Sequence, residues 1–166
     1  MKVVELTIPT ADGEFLARYS EKGLCELWFP DGKKGKKAGD GAQVSNQIRE
    51  WHERTVEALN IALKGREPKT FPPVDLSNGT EFQQRVWEVL RTIAMGRTLS
   101  YGEVARRIGK PKAVRAVGGA CGANPIPVFV PCHRVLAANQ RLGGFSGGLD
   151  WKRRLLAREG AIMIAE

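Results

Sequence analysis

A proline-rich segment near the middle of the chain separates two stretches with different hydrophobic patterns. Residues 65–78 (GREPKTFPPVDLSN) contain three prolines and have no hydrophobic period, which is typical of a linker. Short runs of strand-forming residues and one long helical pattern precede it, and several short helical patterns follow it. We therefore predict an α/β (α+β) protein of two domains, a first half (residues 1–78) and a second half (residues 79–166).

The first half predicts a sheet followed by one helix. Residues 3–8, 14–19 and 25–29 are rich in β-branched and aromatic residues and are separated by Asp-Gly and Lys-Gly turn signals. A Gly/Lys-rich loop is expected over residues 30–41. From residue 42 to residue 63, apolar residues recur at three- and four-residue steps, which indicates an amphipathic helix.

The second half predicts a helix-turn-helix. Capping-box sequences open two helices, over residues 80–96 and 100–108. A glycine-containing turn at residues 109–111 leads into a further helix over residues 112–121. Two short helices joined in this way are typical of a DNA-binding helix-turn-helix, although other small helical domains share the pattern.

The remainder of the second half predicts a strand, a loop and a last helix. Residues 126–130 (IPVFV) form an apolar run that indicates a buried strand, and residues 139–148 (NQRLGGFSGG) indicate a glycine-rich loop. Asp150 is expected to cap a helix that ends at Glu159.

The net positive charge of the chain lies entirely in the second half. The 166 residues carry a formal net charge of +8, the first half has 12 basic and 12 acidic residues, and the second half has 14 and 6. Surface cations displace counterions from a phosphate backbone, so this distribution fits a polyanion-binding module. A basic surface that serves only solubility fits it equally well.

Composition excludes several other classes. No apolar run approaches the roughly 18 residues of a membrane span, and the first residues lack the apolar core of a signal peptide. Three cysteines, Cys25, Cys121 and Cys132, without a CxxC pair, indicate reduced thiols, and we expect a cytoplasmic protein. Two histidines and scattered cysteines match no zinc spacing, so no metal site is predicted. Cys25 and Cys121 are interpreted as small apolar residues without a chemical role.

The sequence PCHRV at residues 131–135 concentrates reactive side chains. Cys132 would react as the thiolate, and its ordinary pKa near 8.5 means that a base or a cation, His133 or Arg134, must assist. Neighbouring side chains of an extended segment point apart, so His133 would reach the thiol through a turn or a bridging water. Glu159 is a candidate for orienting the histidine. A structural cysteine beside a solvated histidine is the alternative.

PCHRV and its surroundings resemble the O6-alkylguanine-DNA alkyltransferases (methylated-DNA–protein-cysteine methyltransferases). The preceding KAVRAVGGACGANPIPVFV and the following FSGGLDWKRRLLAREG are similar to that family, and the similarity is dense over residues 79–160. The resemblance implies a ribonuclease-H-like first domain and a helical winged-helix domain that binds double-stranded DNA through the minor groove. It further implies a monomer without a cofactor that takes the O6-alkyl group of a flipped guanine, with O4-alkylthymine as an alternative substrate.

The resemblance also implies the catalytic roles. Cys132 matches the alkyl acceptor, His133 the base that acts through water, and Glu159 the end of the relay. Tyr101 matches a tyrosine that donates a proton to the guanine ring, and Asn124 a residue that supports the active-site turn.

Further matched positions imply contacts with DNA and with the flipped base. Arg115 matches the arginine that fills the space left by the base, and the same helix, with Ala116 and Gly118, would face the DNA together with Tyr101. Val135, Ser146 and Gly147 match positions beside the extruded guanine.

The small residues of the Arg115 helix suit a close approach to the narrow minor groove. Tight helix packing is the other interpretation of its paired glycines, Gly118 and Gly119.

Two other functions stay open at this point. A cysteine hydrolase would use Cys132 and His133 with turnover, but it would leave the basic helix-turn-helix unexplained. A non-catalytic protein that binds alkylated DNA would need no acceptor, whereas Cys132 is present here.

Overall fold

The fold is mixed α/β, as a computed structural model of the chain establishes for residues 3–32, 44–145 and 147–161. Residues 33–41 of the expected Gly/Lys-rich loop lie outside this part of the chain, and so does Ser146. The prediction of an α/β protein is confirmed.

The three strands predicted in the first half are confirmed. They form one antiparallel sheet in chain order, with β1 at Val4–Thr10, β2 at Gly13–Ser20 and β3 at Gly23–Trp28. Helix α1 covers Asn46–Leu63, a later start than the predicted residue 42, because the Ser45 hydroxyl caps it by accepting a hydrogen bond from the backbone N–H of Ile48.

The second half contributes four helices: α2 at Glu81–Arg91, α3 at Tyr101–Arg107, α4 at Val114–Gly122 and α5 at Leu149–Arg158. Both predicted capping boxes are present, and they open α2 and α3. Helix α2 ends well before the predicted residue 96. The predicted pair of short helices joined by a turn is α3 and α4.

The predicted strand over residues 126–130 is wrong. The segment is buried but forms consecutive turns, because Pro127 offers no backbone donor and Val128 has a φ of 75°. Its polar groups are satisfied locally, since the N–H of Ile126 donates to the Asn124 side chain at 2.9 Å and the N–H of Val130 donates to the Ile126 carbonyl at 2.9 Å. The run is apolar because it lies in the protein interior. Pro127 and the positive φ of Val128 keep it out of a sheet.

The predicted cap of the last helix is also wrong. Gly148, at a φ of 93° that favours glycine, precedes the first residue of α5. Asp150 lies in the first turn, where its carboxylate pairs with Arg154 at 3.0 Å. An acidic side chain in the first turn stabilises the N-terminus of a helix, as a capping residue does. Asp150 therefore marks the start of α5 in the sequence without being its cap.

A short parallel pair of strands fixes the segment after Cys132. Residues Cys132–Arg134 form one turn of 3₁₀ helix, which leads directly into β5 at Val135–Leu136. Strand β5 pairs with β4 at Leu99–Ser100, immediately before α3. The start of α3 and the residues after the thiol are therefore held side by side.

The two halves share one continuous core. Buried side chains of the sheet, of α1 and of the later helices belong to a single cluster. The N–H of Leu27 donates to the Pro125 carbonyl at 2.9 Å, and the Arg158 guanidinium binds both carboxylate oxygens of Asp12 at 2.8 and 2.9 Å. The first half therefore holds the C-terminal end of α5. Within the described ranges, no helix has the length and apolar character needed to cross a membrane.

Candidate active site

Cys132 lines a cavity between α3, α4 and the glycine-rich loop. The cavity holds about 330 Å³, and only 3% of the surface of Cys132 is exposed. The other residues that line it are Tyr101, Gly118, Cys121, Gly122, Gly144 and Phe145. A reactive group in this position can meet only a partner that enters the cavity.

Asn124 holds the turn that carries the thiol. Its side-chain Nδ2 donates to the Val130 carbonyl at 2.7 Å, and the same carbonyl accepts the backbone N–H of Cys132 at 2.8 Å. Because both hydrogen bonds converge on one buried oxygen, the position of Cys132 is set by the Asn124 side chain.

The Cys132 thiol is protonated in the resting protein. Burial raises its pKa to about 11, although a hydrogen bond with the Asn124 side chain and the charge of Lys152 act in the opposite direction. A thiol is a poor nucleophile, so any nucleophilic reaction of this sulfur would require a base that removes its proton.

His133 and Glu159 form a buried pair 26 residues apart in sequence. The His133 Nε2 lies 2.6 Å from the Glu159 Oε1, and His133 is fully buried. Burial lowers the pKa of His133, so the ring is neutral at pH 7. Burial opposes the ionisation of Glu159, but hydrogen bonds from His133 and Arg134 outweigh it and lower the pKa of the carboxyl.

This pairing decides which ring nitrogen can act as a base. A neutral imidazole beside a carboxylate places its proton on the nitrogen that faces the carboxylate, here Nε2. The Nδ1 of His133 then carries the lone pair. It is buried and has no hydrogen-bond partner within the described part of the protein.

Arg134 serves the carboxylate and not the thiol. Its Nε and Nη2 bind the two oxygens of Glu159, each at 3.0 Å, and its Nη1 donates to the Ile93 carbonyl at 2.6 Å. A planar guanidinium that binds both oxygens fixes the orientation of a carboxylate. Of the two candidates beside Cys132, Arg134 is therefore engaged elsewhere, and His133 is the one with a ring nitrogen left to accept a proton.

Lys152 is a site residue that the sequence analysis missed. It is fully buried, and its Nζ donates to the carbonyls of Val135 at 2.8 Å and Gly144 at 3.1 Å. One signal could have revealed it, because Lys152 stands three and four residues before Leu155 and Leu156, on the apolar face of α5. A lysine on such a face must find partners inside the protein.

Tyr101 faces the cavity from the first position of α3. Burial raises its pKa to about 12, and negative charge on the Cys121 and Cys132 thiols would raise it further. The phenol therefore holds its proton at neutral pH, and it lies in the same cavity as the Cys132 thiol.

Helix α4 presents an open face of small residues. Arg115 and Ala116 are exposed, and a Cβ added at Gly118 or Gly119 would meet nothing within 4 Å. Among the described residues, no neighbour packs closely enough against Gly118 or Gly119 to require a glycine, so tight helix packing does not explain them. A smooth exposed face allows another molecule to approach the helix backbone closely.

The remaining predicted base-binding positions lie in different surroundings. Val135 is buried, and its carbonyl accepts the hydrogen bond from Lys152. A side chain at Gly147 would collide with the Phe29 ring, so this glycine allows the loop to lie against Phe29 and is not part of the cavity lining. Among the described residues, no group of three or more His, Cys, Asp or Glu side chains is placed to hold a metal ion.

The fold and the site together define a class of protein. It carries a buried thiol that can accept a group, next to a helix-turn-helix with an open face. The family described as 6-O-methylguanine DNA methyltransferase, DNA binding domain, matches residues 81–161. The methylated-DNA–protein-cysteine methyltransferase of Methanosarcina acetivorans is 43% identical over 149 residues, which are 90% of this chain and 93% of that protein.

Two further comparisons agree with this match. The bifunctional transcriptional activator/DNA repair enzyme Ada of Escherichia coli is 39% identical over 155 residues, which are 89% of this chain and 42% of that protein. The crystal structure of Mycobacterium tuberculosis OGT in complex with DNA is 37% identical, with a TM-score of 0.77, and the match covers 94% of this chain and 92% of that one. The chain belongs to the methylated-DNA–protein-cysteine methyltransferase family.

Proposed function

We propose that this protein repairs DNA by transferring the O6-alkyl group of a guanine to the sulfur of Cys132, once per molecule. The observation that carries the proposal is the buried Cys132 thiol in the lining of a cavity of about 330 Å³, next in sequence to His133 of the His133–Glu159 pair. A base inside duplex DNA cannot enter such a cavity, so the target guanine must be extruded first.

The reaction begins with removal of the thiol proton. The Nδ1 of His133 is a buried acceptor, and buried polar atoms of this kind are satisfied by protein or by water. We infer that one water joins it to the Cys132 sulfur and carries the proton to the imidazole. Glu159, oriented by Arg134, stabilises the imidazolium that results.

The sulfur then attacks the alkyl carbon, and the bond from that carbon to the guanine O6 breaks. The electron pair of that bond stays with the guanine, whose ring takes the proton of the Tyr101 phenol. The nearby Lys152 ammonium stabilises negative charge in the cavity and favours thiolate formation. The product is a thioether without an activated carbon, so water does not remove the alkyl group.

Binding to double-stranded DNA is assigned to helix α4. Its open face of glycines supports a close approach to the minor groove, where Arg115 would occupy the space of the extruded guanine, with Ala116 and Gly118 against the DNA. Contacts with the extruded guanine are assigned to the backbone of Val135 and to Ser146, while Gly147 allows its loop to lie against Phe29. O4-alkylthymine is an alternative substrate.

The two halves of the chain have different tasks in this proposal. Residues 79–166 would form a winged-helix-type domain that binds DNA and carries the site, and residues 1–78 a ribonuclease-H-like domain that braces it. The contact of Asp12 with Arg158, next to Glu159, supports this division. Three free thiols support a reducing compartment, and we propose the cytoplasm for a protein that acts as a monomer.

The test is the stoichiometry of transfer from a duplex that contains O6-methylguanine. Residues 116–134 form one tryptic peptide that contains both Cys121 and Cys132, and we expect one added methyl group on it, with fragment ions that place the methyl on Cys132. The yield should stop at one methyl per chain. Release of several products per chain would favour a turnover enzyme such as a cysteine hydrolase, and binding without transfer would favour a non-catalytic damage-binding protein.

The pH dependence of transfer should follow His133. Because burial lowers the pKa of His133 from its ordinary value, the imidazole is neutral at pH 7, so we expect a constant rate from about pH 8 to 7 and a decline only in more acidic solution. Glu159→Gln should lower the rate about 100-fold. It should also move the acid limb to lower pH, because the hydrogen bond and charge of Glu159 raise the pKa of His133.

The measurement is the single-turnover rate on a methylated duplex across this pH range, with thermal unfolding as a check of the fold. A Glu159→Gln variant whose acid limb stays in place or moves upward in pH would contradict the assignment of His133 as the base.

A further inference from the structure

Two thiols line the same cavity. Cys121, in the last turn of α4, and Cys132 are both buried, with 6% and 3% of their surfaces exposed, and both belong to the cavity lining. The proposed alkyl transfer uses only Cys132. Cys25, the third cysteine, lies on β3 outside this cavity and donates its S–H to the Arg18 carbonyl.

A short series of hydrogen bonds connects the two cysteines. The backbone N–H of Asn124 donates to the Cys121 carbonyl at 3.3 Å, and the Asn124 side chain donates to the Val130 carbonyl at 2.7 Å. That carbonyl also accepts the N–H of Cys132 at 2.8 Å. The intervening segment therefore folds back on itself, and its two ends carry the two thiols into one cavity.

The two thiols also interact electrostatically. Burial raises the pKa of Cys121 to about 12, and negative charge on Cys132 raises it as well. The Lys152 ammonium acts on both thiols in the opposite direction. The hydrogen bond with the Asn124 side chain, together with Lys152, favours the thiolate of Cys132, which is therefore the thiol that an oxidant attacks first.

We propose that Cys121 is a resolving thiol that converts oxidised Cys132 into a reversible Cys121–Cys132 disulfide. A hydroperoxide is the oxidant: the Cys132 sulfur takes one of its oxygens and becomes a sulfenic acid, while the peroxide is reduced to water or an alcohol. The Cys121 sulfur then attacks the Cys132 sulfur, the S–O bond breaks, and the Cys121 proton leaves with the hydroxyl group as water.

The consequence is preservation of the alkyl acceptor, and in this respect the inference rests on the proposed function. A sulfenic acid without a thiol partner is oxidised further to sulfinic acid, which thiol reductants do not reverse. A disulfide is restored by a dithiol through exchange. The protein has one acceptor thiol and uses it once. Each oxidation of Cys132 that is not followed by disulfide formation would therefore inactivate one molecule.

The experiment treats the full chain with hydrogen peroxide and then with dithiothreitol. Before reduction, we expect the tryptic peptide 116–134 to be lighter by two hydrogens, since it contains both thiols. After reduction, methyl-accepting capacity should return in full, relative to untreated protein. In Cys121→Ser the same peptide should gain two or more oxygens, and the lost capacity should not return. Cys25→Ser, the matched control, should behave like the unchanged protein.

Two outcomes would overturn the inference. One is a peptide 116–134 that gains oxygen in the unchanged protein without losing two hydrogens, and the other is full recovery of Cys121→Ser after reduction. The peptide masses are read without any DNA substrate. A failure of alkyl transfer in untreated protein would therefore count against the proposed function alone.

Discussion

Replacing Cys132 with alanine is expected to abolish methyl transfer completely. Loss of a catalytic nucleophile lowers the rate of a hydrolase by about 10⁶-fold, because other groups still assist water. No such residual route exists here, since the sulfur is both the nucleophile and the final position of the alkyl group. The measurement is transfer of a labelled methyl from a duplex oligonucleotide to the protein.

The fold and DNA binding should survive this substitution. The turn around Cys132 is held by the backbone N–H of Cys132 and by the Asn124 side chain, which both donate to the Val130 carbonyl, and these two hydrogen bonds remain when the sulfur is removed. Cys25→Ala is the matched control, because Cys25 is also buried, with a pKa raised by burial to about 11, but lies outside the cavity. Label on the Cys132→Ala protein, or loss of label from Cys25→Ala, would contradict the assignment.

Elements with a local signal could be predicted from the sequence. The strands of the first half follow runs of β-branched and aromatic residues separated by turn signals. Helices α2 and α3 follow capping boxes, in which the side chain and the backbone it binds are three residues apart. The presence of a histidine next to Cys132 is also a local feature, since PCHRV contains both residues. Glu159 could be suggested because it ends α5 without a partner in its own helix.

Features that depend on tertiary contacts could not be predicted. The apolar run at residues 126–130 is buried, but periodicity does not separate a buried strand from a series of buried turns. Strands β4 and β5 contain two residues each, which is too short for a pattern. The guanidinium of Arg134 could be placed beside Glu159 only when the turn after Cys132 and the end of α5 were brought together.

The buried position of Lys152 also could not be predicted from the sequence. In the sequence it lies in the charged stretch WKRR and is indistinguishable in type from its exposed neighbours. In the fold it faces inward and donates to two carbonyls of the segments that flank the cavity. Its burial is stabilised by those acceptors and places a positive charge that lowers the pKa of the Cys132 thiol.

Arg115→Ala is expected to impair repair of duplex DNA far more than reaction with a free base. Extrusion of a base costs a few kcal/mol, and an arginine that fills the vacated space offsets part of that cost. Losing about 2–3 kcal/mol of this compensation would lower the rate on duplex DNA by roughly 30- to 150-fold. Free O6-benzylguanine needs no extrusion, and Arg115 is exposed on α4 outside the cavity lining, so its reaction should change little.

The control for Arg115→Ala removes the same charge elsewhere. Arg91 is exposed in the last turn of α2, outside the open face of α4, and Arg91→Ala should leave the ratio of the two rates unchanged. A general loss of electrostatic attraction would instead weaken duplex repair in both variants and would diminish with added salt. Equal losses of Arg115→Ala on the duplex and on the free base would remove the extrusion role. A loss confined to the duplex, and to Arg115, would mean that this side chain stabilises the extruded state.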